Sequence, residues 1–273
     1  MNRHHVLRTV IYQEDGRGYQ QVLPEDQWVL GYQDIVEKEL VSGLRGFVMS
    51  LLSKKFDLSR DHMLRGDVIR LGVEEYVLVI TLHHISSDGW SMPILIDELL
   101  HQYNSRVEGN AILEEPLGLQ YSDYSNWQRT RLQGDFLKSR LTYWENQLSG
   151  VSPLNLPTDY DRLGIPSKQG SVFEFLIPVS VREGLLKLSQ SQGATLFMTL
   201  LSAFKVLLYR YSGQGDICVG SPIANRTQEE LEGLIGFFVN TLCLRSDLGG
   251  HPTFNELLSR VRDTTLGAYD HQD

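Results

Sequence analysis

The residues with the clearest chemical potential form one short stretch, which reads HHISSDG over positions 83–89. A neutral imidazole near pH 7 can accept a proton from an attacking nucleophile and return it to a leaving group. An aspartate at this spacing can orient a histidine or pair with a buried arginine, and a glycine permits unusual backbone angles or a close approach by substrate. A metal site would need a third histidine or a cysteine at ligand spacing, which the stretch lacks, so we expect no metal.

The flanking segments place this stretch where a strand gives way to a helix. The apolar run at 77–82 predicts a buried strand. Downstream, apolar residues at helical spacing from Ile94 to Tyr103 predict a helix, with Ser91 as its N-cap. Side chains at such a junction can face a cavity from a rigid support.

The two histidines are expected to have different surroundings. Adjacent residues that leave a strand point to opposite sides, so His83 and His84 cannot both face one substrate. We expect one ring to pack and the other to face a cleft. A single histidine beside a strand is usually a hydrogen-bonded core residue, but the whole pattern at a strand-to-helix junction favours a functional site.

Composition excludes several classes of protein. The net charge of −9 argues against a surface that binds nucleic acid or anionic membrane. No apolar run reaches ~18 residues, so we expect no membrane span, and the residues after Met1 do not resemble a secretory signal peptide. Cys218 and Cys243 are too few for a disulfide framework, which fits a reducing cytoplasm.

Hydrophobic periodicity predicts interleaved strands and helices. The predicted strands cover positions 6–13, 20–23, 68–72, 76–82, 172–177, 217–220 and 238–245, with a hairpin joining 68–72 to 76–82. The predicted helices cover the middle of 34–55, the region after Ser91, 122–148, and 195–211 with Thr195 as its cap. Positions 151–170 lack periodicity and are rich in proline, which predicts a linker between a first lobe, 1–150, and a second lobe, 171–273.

Five segments, in order along the chain, resemble the motifs of one family. The stretch at 83–89 resembles the HHxxxDG signature of condensation domains from nonribosomal peptide synthetases, within the chloramphenicol acetyltransferase-like acyltransferases. Positions 3–9 resemble RHExLRT, with His5 in place of the glutamate, and 121–127 resemble YxDYAxW. Positions 235–242 are similar to IGxFVNTL, and 271–273 resemble the opening of HQDYPFE. The resemblance spans essentially the whole chain.

The resemblance implies an α/β fold, an α+β sandwich of two chloramphenicol acetyltransferase-like lobes in a V around a central tunnel. The family's first motif, SxAQxRLW, would precede Arg3, and its last segments would follow Asp273, so both lobes are expected to be incomplete. An apolar face containing Leu196, Leu200, Phe204 and Leu207 should then be partly uncovered. We expect this polypeptide alone to aggregate or stay partly molten, and to form no peptide bond.

The implied reaction is amide formation. The amine of an acceptor amino acid attacks a donor aminoacyl or peptidyl thioester, and both substrates arrive on the phosphopantetheine arms of carrier proteins. The implied partners are therefore a donor and an acceptor peptidyl carrier protein and an adjacent adenylation domain, with no nucleic acid and no membrane. The resemblance implies no cofactor bound by the domain itself.

The resemblance also assigns roles to residues of this chain. His84 matches the catalytic second histidine, and Gly89 lies where a backbone N–H can steady the oxyanion. Support of the site falls to His83, Asp88, Arg8 and Arg3, with Asp88 and Arg8 expected to form a structural pair. The residues expected to line the tunnel or the lobe interface are Trp90, Ser91, Asn240 and Thr241. The segment 220–226, GSPIANR, resembles a loop that bridges the lobes near the tunnel.

Other activities share parts of this pattern. An epimerization domain also carries HHxxxDG but usually continues as DGVSW, where this chain has DGWSM at 88–92. That difference favours condensation with an L-configured donor. A freestanding coenzyme A-dependent acyltransferase would lack the FFVNTL segment. A non-catalytic platform that recruits partner enzymes typically loses the histidine motif, which is intact here.

Overall fold

The computed structural model describes residues 1–35, 43–110, 115–160 and 170–273. The chain forms two compact units, each containing strands and helices. The first unit comprises Met1–Arg131 and Ala224–Val239, and the second comprises Leu132–Ile223 and Asn240–Asp273. This composition of elements confirms the predicted α/β fold class.

The first unit contains two small sheets. The strands are β1 (Thr9–Glu14) paired with β2 (Arg17–Val22), and β3 (Gly31–Asp34), β4 (Leu64–Arg70) and β5 (Tyr76–Leu82) in that order. β3 runs parallel to β4, and β4 and β5 form the predicted antiparallel hairpin that leads into the histidines. β1 begins later than predicted because His5–Arg8 form a turn of 3-10 helix.

The helices of the first unit are α1 (Gly43–Leu52), α2 (Ser91–Val107) and α3 (Tyr121–Arg131). The helix predicted within 34–55 is confirmed only as α1, since Asp34 ends β3 and residues 36–42 lie outside the described residues. α2 is confirmed, but Ser91 is its first helical residue rather than its N-cap. The N-cap position is Trp90, which makes no capping hydrogen bond with its side chain, and the first helical amide, that of Ser91, donates instead to the Asp88 carboxylate at 2.9 Å.

The helix predicted at 122–148 is two helices. α3 ends at Arg131, and α4 (Gly134–Leu148) begins at a glycine whose φ is +56°, a left-handed backbone angle that interrupts a helix. α4 belongs to the second unit, because the Trp144 indole donates to the His271 carbonyl at 2.9 Å and Arg245 donates to the Ser149 carbonyl at 2.7 Å. By contacts the chain thus divides near Arg131, and the domain bounds at 1–150 and 171–273 stay a prediction.

The second unit packs three further helices with one strand pair. Its remaining elements are α5 (Val179–Ser191), α6 (Leu196–Ser212), β6 (Asp216–Ile223), β7 (Asn240–Asp247) and α7 (Phe254–Asp270). Both strands and α6 confirm their predictions, and the Thr195 hydroxyl caps α6 by accepting from the Met198 amide at 3.2 Å. Segment 224–239 lies between β6 and β7 but belongs to the first unit, so the second lobe is not one continuous range.

The predicted linker and the strand after it differ from the structure. Residues 151–160 form no helix or strand, and 161–169 lie outside the described residues. The strand predicted at 172–177 is wrong, because a strand needs a hydrogen-bonded neighbour and none of the described residues pairs with this segment. Its apolar side chains are exposed instead, with Leu176 at 95%.

One face of α6 is uncovered, as expected from the sequence. Leu200, Phe204 and Leu207 are exposed, whereas Leu196 is partly buried. Within the described ranges, no single helix is both long and apolar enough to cross a membrane. α5 and α6 reach that length and composition only when taken together, across a bend of 105°.

Candidate active site

The histidine stretch begins where β5 ends. The His83 amide donates to the Met63 carbonyl at 2.9 Å, which continues the pairing of β5 by one residue. His84–Ser86 then form a turn of 3-10 helix, and α2 starts at Ser91. The stretch is therefore held at both ends by regular structure, at the predicted strand-to-helix junction.

The two histidine rings have different surroundings, as the alternation of a strand predicts. His83 is half-buried, its ring meets that of Phe56 edge to face at a centroid distance of 5.5 Å, and its Nδ1 accepts from the Ile85 amide at 3.0 Å. His84 is exposed. Only the second imidazole is open to a substrate.

The Ser87 carbonyl selects one tautomer of the neutral His84 ring. Its Nδ1 lies 2.7 Å from the carbonyl oxygen of Ser87. Because a carbonyl can only accept, Nδ1 carries the proton of the neutral ring, and Nε2 is left with a lone pair. Within the described part of the chain no hydrogen bond occupies Nε2. The arrangement gives an exposed imidazole that is ready to accept a proton.

The Asp88 carboxylate anchors the HHISSDG stretch through buried hydrogen bonds. Its buried carboxylate accepts from the Ser91 hydroxyl at 2.7 Å, from the Phe238 amide at 3.1 Å and from Arg226 at 3.2 Å. Burial alone would raise the pKa of this carboxyl, but the hydrogen bonds from Ser91 and Phe238 and the charge of Arg226 outweigh it and hold the pKa below its usual value. Asp88 is therefore an anion with a structural role.

The predicted pairing of Asp88 with Arg8 is wrong. Arg8 donates to the Leu23 carbonyl, and its Nη2 lies 3.3 Å from the Glu25 carboxylate. The reason is local, since the Arg8 carbonyl also accepts from the Leu23 amide, so Arg8 lies at the end of the β1–β2 pair. No bond joins Arg8 to Asp88 among the described residues.

Arg226 is the true partner of Asp88. Its guanidinium also donates to the carbonyls of Leu231 and Leu234, the latter at 2.7 Å, and lies 4.0 Å from the centre of the Phe238 ring. Asp88 and Arg226 are separated by 138 positions in sequence. The only sequence signal is the segment 220–226, which resembles a lobe-bridging loop but indicates no role for its arginine.

Gly89 is exposed, and the structure narrows the reasons for a glycine at this position. Its φ is not in the left-handed region, and a Cβ at this position would meet no atom within 4 Å. The backbone angle therefore does not require a glycine here, and a close approach of substrate stays a prediction. Its amide makes no hydrogen bond within the described ranges, so it is available as a donor, and the oxyanion role stays a prediction.

The other predicted site residues have defined contacts. Trp90 is exposed and donates to the Glu232 carbonyl at 3.0 Å. In the second unit, Asn240 donates to the Gln272 carbonyl at 2.8 Å and Thr241 pairs with Pro222 across β6 and β7. Whether these residues line a tunnel or a lobe interface stays a prediction.

Arg3 supports α2 rather than the histidines directly. Its guanidinium lies 3.1 Å from Glu98 of that helix and donates to the Glu115 carbonyl at 3.0 Å. The neighbouring His4 is buried and meets the same Glu98 carboxylate at 2.8 Å. His4 and Glu98 were missed by the sequence analysis, because neither lies in a chemical pattern of its own.

Ser91 and Tyr121 bind the segment 235–239 to the motif. The buried Ser91 hydroxyl accepts from the Gly236 amide at 3.1 Å, and the Tyr121 hydroxyl donates to the Phe237 carbonyl at 2.8 Å. Burial raises the pKa of Tyr121 to about 12, so this hydroxyl stays a donor. The first unit therefore carries both the HHISSDG stretch and the start of the IGFFVNTL segment.

Gly236 should be intolerant of any side chain. A Cβ there would lie 2.3 Å from Cδ2 of Tyr121 and 2.7 Å from Cε2 of Phe238. We expect Gly236→Ala to lower the free energy of unfolding by about 1–3 kcal/mol, the range for overpacking a filled core. Chemical denaturation of the full-length protein measures the change. Gly233→Ala is the matched control, since a Cβ at Gly233 meets nothing within 4 Å, and equal stability of the two variants would contradict the packing argument.

The described ranges were also compared with the side-chain clusters that bind metal ions in proteins. There, no three side chains of His, Cys, Asp or Glu come close enough together to hold a metal ion. The chemistry available at the site is that of the His84 imidazole, the Gly89 amide and the Asp88–Arg226 pair that holds them.

Comparison with curated proteins identifies relatives over the whole chain. The chain is 44% identical over 277 residues to a linear gramicidin synthase polypeptide of Brevibacillus parabrevis, matching 100% of this chain and 4% of the relative. It is 42% identical to malpinin synthetase of Mortierella alpina, again over 100% of this chain and 4% of the relative. The chain thus spans a small fraction of the length of these curated relatives.

Solved structures share the fold. The X-domain from teicoplanin biosynthesis matches with a TM-score of 0.89 and 28% identity, over 99% of this chain and 60% of that one. The epimerization domain from the third module of tyrocidine synthetase B has a TM-score of 0.79 at 18% identity, over 96% and 60%. The first condensation domain of the CDA synthetase has a TM-score of 0.74 at 20% identity, over 98% and 64%. The last two comparisons support the fold alone.

A family model settles the assignment. The model described as the condensation domain matches residues 1–273. Together with the synthetase relatives, this match confirms the resemblance carried by the motifs around His84 and Asp88. The chain belongs to the condensation-domain family of nonribosomal peptide synthetases.

Proposed function

We propose that the protein to which this chain belongs forms peptide bonds between two carrier-bound substrates, with this chain supplying the histidine stretch. The observation that carries the proposal is the His84 ring, exposed at the end of β5 with Nδ1 fixed by the Ser87 carbonyl and Nε2 left to accept a proton. The nucleophile is the α-amino group of an acceptor amino acid, and the electrophile is the carbonyl carbon of an aminoacyl or peptidyl thioester.

The proton transfer belongs late in the reaction. An α-amino group has a pKa near 8, so roughly a tenth of it is already neutral at pH 7. When the nitrogen bonds to the carbonyl carbon it becomes acidic, and Nε2 of His84 takes its proton. The oxyanion then re-forms the carbonyl as the C–S bond breaks, and the departing thiolate takes the proton from Nε2 of His84. Before that step, His84 holds the amine in line with the carbonyl.

The negative charge that develops on the carbonyl oxygen must be stabilised by a hydrogen-bond donor. The Gly89 amide is exposed, lies five residues after His84 and has open space in front of its Cα. We assign it to the oxyanion. Asp88 is buried and paired with Arg226, so it acts by holding the backbone on which His84 and Gly89 are mounted.

The substrates are proposed to arrive on phosphopantetheine arms. The donor carrier brings the thioester, the acceptor carrier brings the amine, and an adjacent adenylation domain loads one of them. The domain then needs no cofactor of its own. The sequence DGWSM at 88–92, rather than DGVSW, favours an L-configured donor.

Two other functions have specific support. The tyrocidine epimerization domain shares the fold, and an imidazole that accepts a proton from nitrogen is also suited to removing one from carbon. The teicoplanin X-domain also shares the fold, and one solved structure contains it in complex with OxyB. A purely recruiting role would not require the contact between His84 Nδ1 and the Ser87 carbonyl, which leaves Nε2 as a proton acceptor. Condensation is therefore the function that the geometry supports best.

One assay separates these functions. The full-length protein is mixed with two carriers loaded with different aminoacyl groups, and carrier-bound dipeptide is measured by mass spectrometry in deuterated buffer. We expect dipeptide with carrier-bound substrates, much less with free coenzyme A thioesters, and a preference for the L-configured donor. Deuterium at the donor α-carbon without dipeptide would instead indicate epimerization, and neither product would indicate a recruiting role.

A further inference from the structure

Phe237 is an exposed aromatic residue beside the catalytic imidazole, and the mechanism above does not use it. Its neighbours Gly236 and Phe238 have buried surroundings, whereas its own side chain is 39% exposed. The rings of Phe237 and His84 meet at a centroid distance of 5.3 Å and an angle of 85°. The two rings are therefore in direct edge-to-face contact, and the phenyl ring borders the imidazole that carries Nε2.

The backbone that carries this ring is fixed on both sides. The Tyr121 hydroxyl donates to the Phe237 carbonyl at 2.8 Å, and the next amide, that of Phe238, donates to Asp88 at 3.1 Å. Gly236 on the other side is packed too tightly against Tyr121 to accept a side chain. The backbone of Phe237 and the histidine stretch are therefore held by the same Asp88 carboxylate, which fixes the position of the Phe237 Cα relative to His84.

We propose that Phe237 is a specificity-determining residue that contacts the side chain of the acceptor amino acid, an inference that rests on the proposed function. The reacting amine lies at Nε2 of His84, and the acceptor side chain is attached only one carbon away from that nitrogen. A rigid phenyl ring next to Nε2 then packs against this side chain. Apolar acceptors gain contact and bury surface, whereas glycine has nothing to place there.

The expected effect follows from the size of such contacts. One methylene group more or less against an apolar surface changes the specificity ratio by about 10–200-fold. Phe237 would contact only one side of the acceptor side chain and is itself partly exposed. We therefore expect a change in the specificity ratio at the lower end of that range. Removing the ring should lower kcat/KM for a leucyl acceptor by about 10-fold relative to a glycyl acceptor.

The test compares acceptors on one carrier. The full-length protein and its Phe237→Ala and Phe237→Leu variants are supplied with the same donor and with glycyl, alanyl or leucyl acceptors, and kcat/KM is measured for each. The leucyl-to-glycyl ratio should fall about 10-fold in Phe237→Ala and less in Phe237→Leu, which keeps an apolar contact. Tyr103→Ala is the matched control, because Tyr103 is an exposed aromatic residue on α2 that has no contact with His84, and its ratio should equal that of the wild type.

Several outcomes would overturn the inference. If all acceptors slow by the same factor in Phe237→Ala, the ring only orients His84 or supports the fold. If the ratio is unchanged or rises, the acceptor side chain does not rest on this ring. A wild-type protein that forms no peptide with any acceptor would refute the proposed function itself, and the inference with it, whereas an active wild type with an unchanged ratio refutes the inference alone.

Discussion

His84→Ala is expected to lower the rate of peptide formation by at least ~10²-fold, the scale of a positioned acid–base group. The physical reason is that the Nδ1 contact with the Ser87 carbonyl leaves Nε2 as the proton acceptor, and alanine removes both. The side chain is exposed, so the free energy of unfolding should change little. Single-turnover kinetics with loaded carriers and thermal melting of the full-length protein measure the two quantities.

His83→Ala is the matched control for this prediction. The His83 ring packs against Phe56 and accepts from the Ile85 amide, so its loss should affect stability as much as rate. If His84→Ala turned over within a few-fold of the wild type, the catalytic assignment would be wrong. A rate loss in His84→Ala that came with an equal loss of folded protein would also fail to support it.

Asp88→Ala is expected to lower the free energy of unfolding by about 3–5 kcal/mol, because it leaves a buried guanidinium without its anion. The Arg226 and Asp88 side chains are 2% and 0% exposed. Alanine also removes the acceptor for the amides of Ser91 and Phe238. Chemical denaturation of the full-length protein gives the change, with loss of activity as a consequence of the disturbed backbone.

A double-mutant cycle identifies the partner of Asp88. Arg226→Met combined with Asp88→Ala should be less destabilised than the sum of the single changes, because the second substitution removes the charge that the first leaves unpaired. Arg8→Met combined with Asp88→Ala should be additive, since Arg8 bonds to Leu23 and Glu25. Coupling of Asp88 with Arg8 instead of Arg226 would contradict the structure.

The same carboxylate gives the stability of the protein a pH dependence with a defined sign. Despite the opposing effect of burial, the hydrogen bonds and the Arg226 charge hold the folded-state pKa of Asp88 below the ordinary value of 3.8. The stabilisation by Asp88 is therefore fully present above that value and is lost as the pH falls from it towards the folded-state pKa. Asp88→Ala should show a smaller loss of stability over this acidic range.

Much of the architecture and of the site could be predicted from the sequence. The β4–β5 hairpin, the helices α2 and α6, and the placing of His84 at a strand-to-helix junction follow from periodicity, caps and turns. These signals depend on residues a few positions apart, and such contacts form whatever the rest of the chain does. The Thr195 cap of α6 is an example, since its hydroxyl and the Met198 amide are three residues apart.

Most of the misses have one cause, which is distance along the chain. The strand predicted at 172–177 has good alternation, but pairing depends on a neighbour that the alternation does not specify. The single helix predicted at 122–148 is the exception, since it ignored the turn at Gly134 within the segment itself. The pairing of 172–177 and the partner of Asp88 both depend on residues far away in the sequence.

By itself the sequence determined the family and the position of the HHISSDG stretch at a strand-to-helix junction, because a motif of adjacent residues is readable without a fold. Only the tertiary structure decided which arginine neutralises Asp88, which ring nitrogen of His84 is free, and that Phe237 lies against that ring. A buried carboxylate pairs with whichever cation the packing brings within reach, and Arg226 comes from 138 positions away. The pattern of neighbouring residues thus predicts helices and strands, whereas the packing of distant segments decides which side chains are in contact.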